Sequence, residues 1–501
     1  MIRGYAVGML PKPEDRSSYS RPWRGMRGAV STGHPLASSA ALFALHNGGS
    51  AVDAAIAAQA VVCVIMPQAA GLGGDQMCLI RTTDGTVAVS GSGRSSAILP
   101  VVASSDGGAS VTVPGLVDAW LTCHDRFGRL PLKTIFAPAI RLAHEGYRID
   151  PDLHAAVREQ RARIERHGGA GWALLHHQPG ERWIQPALGD LLADIATHGR
   201  TAFYDGAAAT SLARAVHDHG GALSVEDLAA HRTDVSTPIS TAWNGGILHV
   251  QPSPSQGILL AMAAKWLDEH ADAIGHHDLQ HALVEATEAA FEHRSDAALG
   301  EQLLGVTLDI DLATAGNRGG PRSYLHTAGV AVADDDGIIV SSLISVFDDF
   351  GSGVYVPELG IVLNNRAAGF TDGRNAAGPS RLPVHTLAPS ILTGGNGDAI
   401  ALATPGADGQ VQTLLQVLSR LRFENRSLGD AIAAHRWRSE DGKLLIEDGH
   451  PAAANLRDRR HHLSPLGCGK AIFGAVTAAG IEDGQPYAAS DWRRLVATGV
   501  A

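Results

Sequence analysis

Gly316-Asn317-Arg318-Gly319-Gly320-Pro321-Arg322 runs through Leu325-His326-Thr327 into the apolar stretch Val330-Ala331-Val332, and the rest of the chain is read outward from this junction. The glycines and the proline predict a linker without regular structure. The β-branched run behind them predicts a buried strand. A threonine standing where a linker ends and a buried strand begins is placed to become a new N-terminus. A threonine hydroxyl is a weak nucleophile and needs a base at hand to take its proton. An α-amino group titrates near ~7.7 to 8.0, so a freed Thr327 would carry nucleophile and base in one residue. In an uncut precursor the same hydroxyl would attack the His326 carbonyl, giving an ester that water opens. The chemistry implied is amide cleavage. For an isolated threonine the plain structural reading dominates, because β-branched residues suit strands, so the surrounding sequence has to decide.

Behind Thr327 the pattern is strand-like. Residues 330–333 and 338–346 flank Asp334-Asp335-Asp336-Gly337 and predict a hairpin. Residues 360–363 and 399–403 read as buried strands, and helical patterns return at 411–421 and 428–434. Ahead of the linker, residues 37–46 and 51–64 predict two helices, apolar almost all round and therefore buried. Asn47-Gly48-Gly49 ends the first, and Ser50 with Asp53 forms a capping box opening the second. Pro67-Gln68-Ala69-Ala70-Gly71-Leu72-Gly73-Gly74-Asp75 then leads into strand signals at 77–81 and 87–89 around an Asp84-Gly85 turn. Its glycines run from helix into strand, the reverse of a phosphate loop. Helical patterns dominate residues 114–243, and a helix over 258–270 follows the break at Pro252-Ser253-Pro254-Ser255-Gln256-Gly257. A long helix over 278–294 carries His281, Glu285, Glu288 and Glu292, with His277 just ahead of it. Such a face can bind zinc, but no HExxH order is present, and a solvated or ion-paired face is the plainer reading. Helices, then strands, then helices imply an α/β layered protein with one sheet-rich core.

Composition bounds the function. Of 501 residues, 45% are hydrophobic and 18% charged, which describes a globular protein with ample core. The net charge of −11 carries no long like-charge block, which speaks against a nucleic-acid or acidic-membrane partner and for a small molecule. Cys63, Cys78, Cys123 and Cys468 have neither CxxC nor zinc-ligand spacing and read as free thiols. Residues 1–24 lack the apolar core of a signal peptide, and no apolar run approaches a membrane span. With residue 1 as the true start, a cytoplasmic protein is expected.

The segments Asn47-Gly48-Gly49-Ser50-Ala51-Val52-Asp53-Ala54-Ala55 and Gly71-Leu72-Gly73-Gly74 resemble the opening of γ-glutamyltranspeptidase family proteins. Later segments continue the resemblance in family order: Val113-Pro114-Gly115, Phe136-Ala137-Pro138-Ala139-Ile140, Phe203-Tyr204-Asp205-Gly206, Glu226-Asp227-Leu228, Pro252-Ser253-Pro254-Ser255, Phe350-Gly351-Ser352-Gly353 and Leu363-Asn364-Asn365. The resemblance runs from about residue 28 to about 440 and fades beyond. It implies an N-terminal-nucleophile hydrolase fold, a four-layer αββα sandwich made as one precursor and cut into a large subunit, 1–326, and a small subunit, 327–501. The two subunits would stay associated, with a heterotetramer or homo-oligomer as possible higher assemblies. No metal or organic cofactor is implied.

Residue by residue, the resemblance puts the nucleophile at Thr327 and an orienting hydroxyl at Ser345, with Ser341 and Ser342 as plainer competitors. Gly406 and Ala407, in Thr404-Pro405-Gly406-Ala407-Asp408-Gly409, match the turn whose amides stabilise the oxyanion, Ala407 standing where the family has glycine. Arg94 matches the arginine that grips a substrate carboxylate. The departures lie in the substrate pocket. Where γ-glutamyl enzymes hold the α-amino and α-carboxylate groups, this chain has Phe347, Arg366, Gly369 and His385-Thr386. The acidic partner for a substrate ammonium is missing there, and Arg94, Arg366 and His385 would favour an acid without an α-amino group. Asn365-Arg366-Ala367-Ala368-Gly369-Phe370 and Pro383-Val384-His385-Thr386-Leu387 are similar to the oxamate amidohydrolase branch. The expectation is a threonine amidohydrolase acting on a small carboxylate-bearing amide, set against a γ-glutamyltransferase or glutathione hydrolase and against an uncut, non-enzymatic binding relative.

Overall fold

The computed structural model describes residues 19–98, 104–316, 327–494 and 496–501, so the linker predicted from Gly316 onward lies, Gly316 apart, outside the described residues. Two seven-stranded sheets form the centre, and every ladder in them is antiparallel. In chain order their strands are β1 (Trp23–Arg24), β2 (Gly28–Thr32), β3 (Asp75–Thr82), β4 (Gly85–Gly91), β5 (Asp234–Ser236), β6 (Ile239–Trp243) and β7 (Gly246–Val250). They continue with β8 (Ala328–Asp334), β9 (Ile339–Ser345), β10 (Ser390–Thr393), β11 (Ala399–Ala403), β12 (Thr477–Glu482), β13 (Gln485–Ser490) and β14 (Ala497–Val500). The first sheet runs β14-β2-β8-β9-β3-β4-β5 and the second β1-β13-β12-β11-β10-β7-β6.

Strand alternation sorts each strand's residues between two cores. Val330 and Val332 of β8 join the apolar cluster that holds the helices α1 (Pro35–His46) and α2 (Ala51–Ile65). Ala331 and Ala333 face the other way, into a thin layer with Ala401, Ala479 and Ala488 of the second sheet. The outer face of the second sheet is covered by α3 (Gly257–Glu269), α4 (Leu279–Phe291) and α5 (Gly409–Phe423). Helix, sheet, sheet, helix gives the four-layer αββα order. The capping box predicted for α2 is present: Asp53 N donates to Ser50 Oγ and Ser50 N donates to Asp53 Oδ2. The hairpin predicted behind the linker is β8–β9.

Two local readings are corrected and a third is refined. Residues 239–243, inside the stretch read as helical, form β6, with Ile239, Thr241 and Trp243 buried and Ser240 and Ala242 exposed; Asn244-Gly245, both at positive φ, turn it into β7. The strand read at 360–363 shrinks to Ile361–Val362, paired only with Tyr355–Val356. The histidine and glutamate face read as solvated or ion-paired is divided: His277 and Glu292 are exposed, whereas α4 buries His281 and Glu285 completely and His461 Nε2 stands 4.0 Å from Glu285 Oε1. Cys63, Cys78, Cys123 and Cys468 are free thiols, the first three buried. Among the described residues no helix is long and apolar enough to cross a membrane.

Candidate active site

The antiparallel register assembles the site along one end of the first sheet. Ala328 pairs with Ile344, so one step outward Thr327 comes opposite Ser345; Ser345 pairs with Asp75, and one step past the Gln76–Gly91 pair Asp75 comes opposite Ser92. The alternation that sends Ala331, Leu343, Leu79 and Ala88 between the sheets carries this row to the same face. Thr327, Ser345, Asp75 and Ser92 are all buried. The competing serines are engaged elsewhere: Ser341 Oγ donates to the Leu402 carbonyl, and Ser342 Oγ accepts from Gln59 Nε2 and Gln76 Nε2. Ser345 Oγ accepts from the Phe347 amide at 2.9 Å.

The second sheet brings its own end to this row. A Cβ on Gly329 would stand 2.9 Å from Thr477 Oγ1 and 3.4 Å from Ala403 Cβ, so glycine lets β8 and β11 approach closely two residues past Thr327. Directly after Ala403 comes the turn with Gly406 at φ 125° and Ala407 at φ 48°. Its carbonyls are occupied: Gly406 O accepts from Arg438 Nη1 and Gly409 N, and Ala407 O accepts from Gln256 Nε2 and Gln410 N. The amides of Gly406 and Ala407 find no acceptor among the described residues. Gln256 Nε2 also donates to the Thr386 carbonyl, tying this turn to the buried His385-Thr386 segment.

Asp75 joins the two arms of the pocket. Its Oδ2 accepts from Arg366 Nε at 2.8 Å and meets His385 Nε2 at 3.2 Å, and all three side chains are fully buried. His385 Nδ1 accepts from the Leu387 amide, so the proton sits on Nε2 and is donated to Asp75. Burial, reinforced by the Arg366 charge, pushes His385 down to about 4, and the imidazole is neutral. Burial alone would raise the Asp75 carboxyl, but hydrogen bonding from His385 and the Arg366 charge outweigh it and hold the group below its usual range. Arg366 lies over the Phe347 ring at 4.5 Å, with Phe347 at φ 83°, and its Nη1 and Nη2 have no hydrogen-bond partner among the described residues. The sequence reading found no acid in this pocket. Asp75 is that acid, and the signal was a charged residue opening a strand that is otherwise buried.

Arg94 stands apart from this group. It is exposed, three residues past β4, donates from Nη1 to the Ser380 carbonyl, and lines a cleft of about 260 Å³ with Ser92, His231 and Asp234. Ser92 is shared between that cleft and the row, so the cleft opens onto the same end of the sheet.

Two stacked antiparallel sheets between helical layers, with Thr327 and Ser345 at one end of the central strands of the first sheet, have the architecture of a hydrolase of the N-terminal-nucleophile type. The chain belongs to the γ-glutamyltranspeptidase family, whose family model matches residues 37–500, well past the point where the motifs fade to the eye. It is 30% identical over 478 residues to an oxamate amidohydrolase proenzyme of Klebsiella pneumoniae subsp. pneumoniae, covering 86% of this chain and 90% of that protein. It is 30% identical over 455 residues to a glutathione hydrolase-like YwrD proenzyme of Bacillus subtilis, covering 82% and 85%. The crystal structure of a cephalosporin acylase from Bacillus halodurans superposes with a TM-score of 0.88 at 26% identity, over 100% of this chain and 99% of that one. The protein is therefore an enzyme of the amidohydrolase or acyltransferase kind.

Proposed function

We propose that this chain is a self-processing threonine amidohydrolase that cleaves the amide of a small carboxylate-bearing, oxamate-like substrate. Cleavage before Thr327 leaves chains of 1–326 and 327–501 and frees the threonine amine. That amine takes the hydroxyl proton as Oγ attacks the amide carbon, and Ser345 across the ladder orients the hydroxyl. Negative charge grows on the carbonyl oxygen toward the Gly406 and Ala407 amides, donors fixed in place before reaction. Collapse expels ammonia or an amine, which takes the proton back, and water opens the Thr327 ester. The observation that carries the substrate reading is Arg366, fully buried at this end of the sheet with two nitrogens that have no hydrogen-bond partner among the described residues, donors that a substrate anion would satisfy. His385 and Thr386 complete the pocket wall, and Arg94 guides the anion in from the cleft. The proenzyme names of the relatives support the processing step, and the oxamate amidohydrolase supports the substrate class.

One observation favours a second reading, hydrolysis or transfer of γ-glutamyl groups. Asp75 Oδ1 is buried without a hydrogen-bond partner and could receive the α-ammonium of a γ-glutamyl amide. The intact mass of freshly purified protein, beside a Thr327→Ala variant, tests the nucleophile: two fragments in the wild type and one 501-residue chain in the variant are expected. A folded wild type that stays whole would end the proposal. Ammonia released from oxamate favours the first substrate class, and activity on a γ-glutamyl anilide the second.

A further inference from the structure

His281 and Glu285 stand four residues apart on one face of α4, both fully buried. The chain following the short helix Ala453–Asp458 brings His461 against them. His281 Nδ1 and His461 Nε2 lie 2.8 Å apart, and His461 Nε2 lies 4.0 Å from Glu285 Oε1. One nitrogen from each imidazole and one carboxylate oxygen fall within 4.8 Å of one another. The Gly316 amide donates to both Glu285 oxygens at 3.1 Å, which fixes the plane of the carboxylate.

We propose that His281, Glu285 and His461 bind a divalent transition-metal ion, with zinc as the best match, leaving a fourth position for water. Two imidazole nitrogens and one carboxylate oxygen suit zinc and its neighbours, whereas calcium and magnesium take oxygen donors. Around a tetrahedral zinc with bonds of ~2.0–2.1 Å, ligand atoms stand about 3.3 Å apart. The cluster reaches that spacing by side-chain shifts on the order of 1 Å. Without metal, a proton between His281 Nδ1 and His461 Nε2 occupies the same place, so proton and cation compete for it. The site lies on the outer helical layer of the second sheet, whereas the Thr327 row lies on the face turned between the sheets, and the proposal gives it no part in the chemistry there. Its two helix ligands precede Thr327 and its third follows, so a bound ion would cross-link the two pieces. That last consequence rests on the proposed cleavage, whereas metal binding does not.

The test uses the full protein, stripped with a chelator, desalted, exposed to zinc and desalted again, with bound metal measured by mass spectrometry. About one zinc per chain is expected in the wild type and none in Glu285→Gln or His461→Gln, and zinc raises the wild-type melting temperature by about 5 °C without moving that of the variants. Stripped variants that melt like stripped wild type show that the fold is kept. Should the variants fail to fold, cobalt(II) substitution of the wild type decides, because a four-coordinate site absorbs strongly in the visible. Wild type that retains no zinc, folded variants that retain as much as wild type, or cobalt without that absorption would overturn the proposal.

Discussion

Arg366 has its Nε held by Asp75 Oδ2 at 2.8 Å while its buried Nη1 and Nη2 have no hydrogen-bond partner among the described residues, so one side chain is anchored with donors to spare. Asp75→Asn leaves a buried guanidinium without its countercharge, a change that costs about 3–5 kcal/mol. The variant should melt lower and lose more than tenfold in kcat/KM. Adding Arg366→Gln should recover much of the melting temperature and none of the activity, which separates holding the fold from holding the substrate. His385 makes a prediction about pH. Its folded value of about 4 lies below the ordinary 6.5, so between those two values the unfolded chain takes a proton that the native one refuses. Stability from this group is complete above pH 6.5 and is lost as pH falls toward 4, about 3 kcal/mol in all. His450, pushed down to about 3, acts in the same sense. Thermal melts between about pH 7 and about pH 4.5 should show a shallower decline in His385→Gln than in the wild type. Thr327, Ser345, Arg366 and His385 could be named from motifs in the sequence. Asp75 could not, because its meaning comes from contacts 291 and 310 residues away.

The turn behind β11 is strained in a way its sequence half conceals. Gly406 at φ 125° lies where only glycine is at ease, and Ala407 at φ 48° bears a left-handed penalty of about 1–2 kcal/mol. Ala407→Gly should therefore raise the melting temperature slightly and keep activity, since the amide survives. Ala407→Pro removes that amide and also forces φ from 48° to about −65°, so a lower melting temperature and a fall of at least about 10²–10³ in kcat are expected; melts and steady-state rates on the two variants check both statements. The β8–β9 hairpin was legible because Val and Ile alternate with small residues and an Asp-rich turn joins them. The strands β12 and β13, Thr-Ala-Ala-Gly-Ile-Glu and Gln-Pro-Tyr-Ala-Ala-Ser, were not. Their small residues suit the thin layer between the sheets, where Ala479 and Ala488 sit, and the same residues carry little strand propensity. β6 went unread for another reason, a short period-2 pattern between longer helical ones.

Five ladders, β14–β2, β2–β8, β9–β3, β1–β13 and β10–β7, join residues ahead of Thr327 to residues behind it. Cutting the chain there leaves every one of these pairings intact, so both pieces should elute together by size exclusion and separate only when denaturant melts the sheets. The mixed α/β character was readable from the sequence, but the stacking of two sheets came only from the family resemblance, since periodicity shows which residues share a face and not what faces them. Ala501 closes on the loop between β1 and β2: its carbonyl accepts from the Met26 and Arg27 amides, and its amide donates to the Gly28 carbonyl. A gene could therefore be rewritten in a different reading order, opening with a start codon before Thr327, running to Ala501, and passing through a short tether into residues 19–316. Trimming of the initiator methionine would expose the threonine amine at birth, and such a permuted enzyme should work without ever having been a precursor.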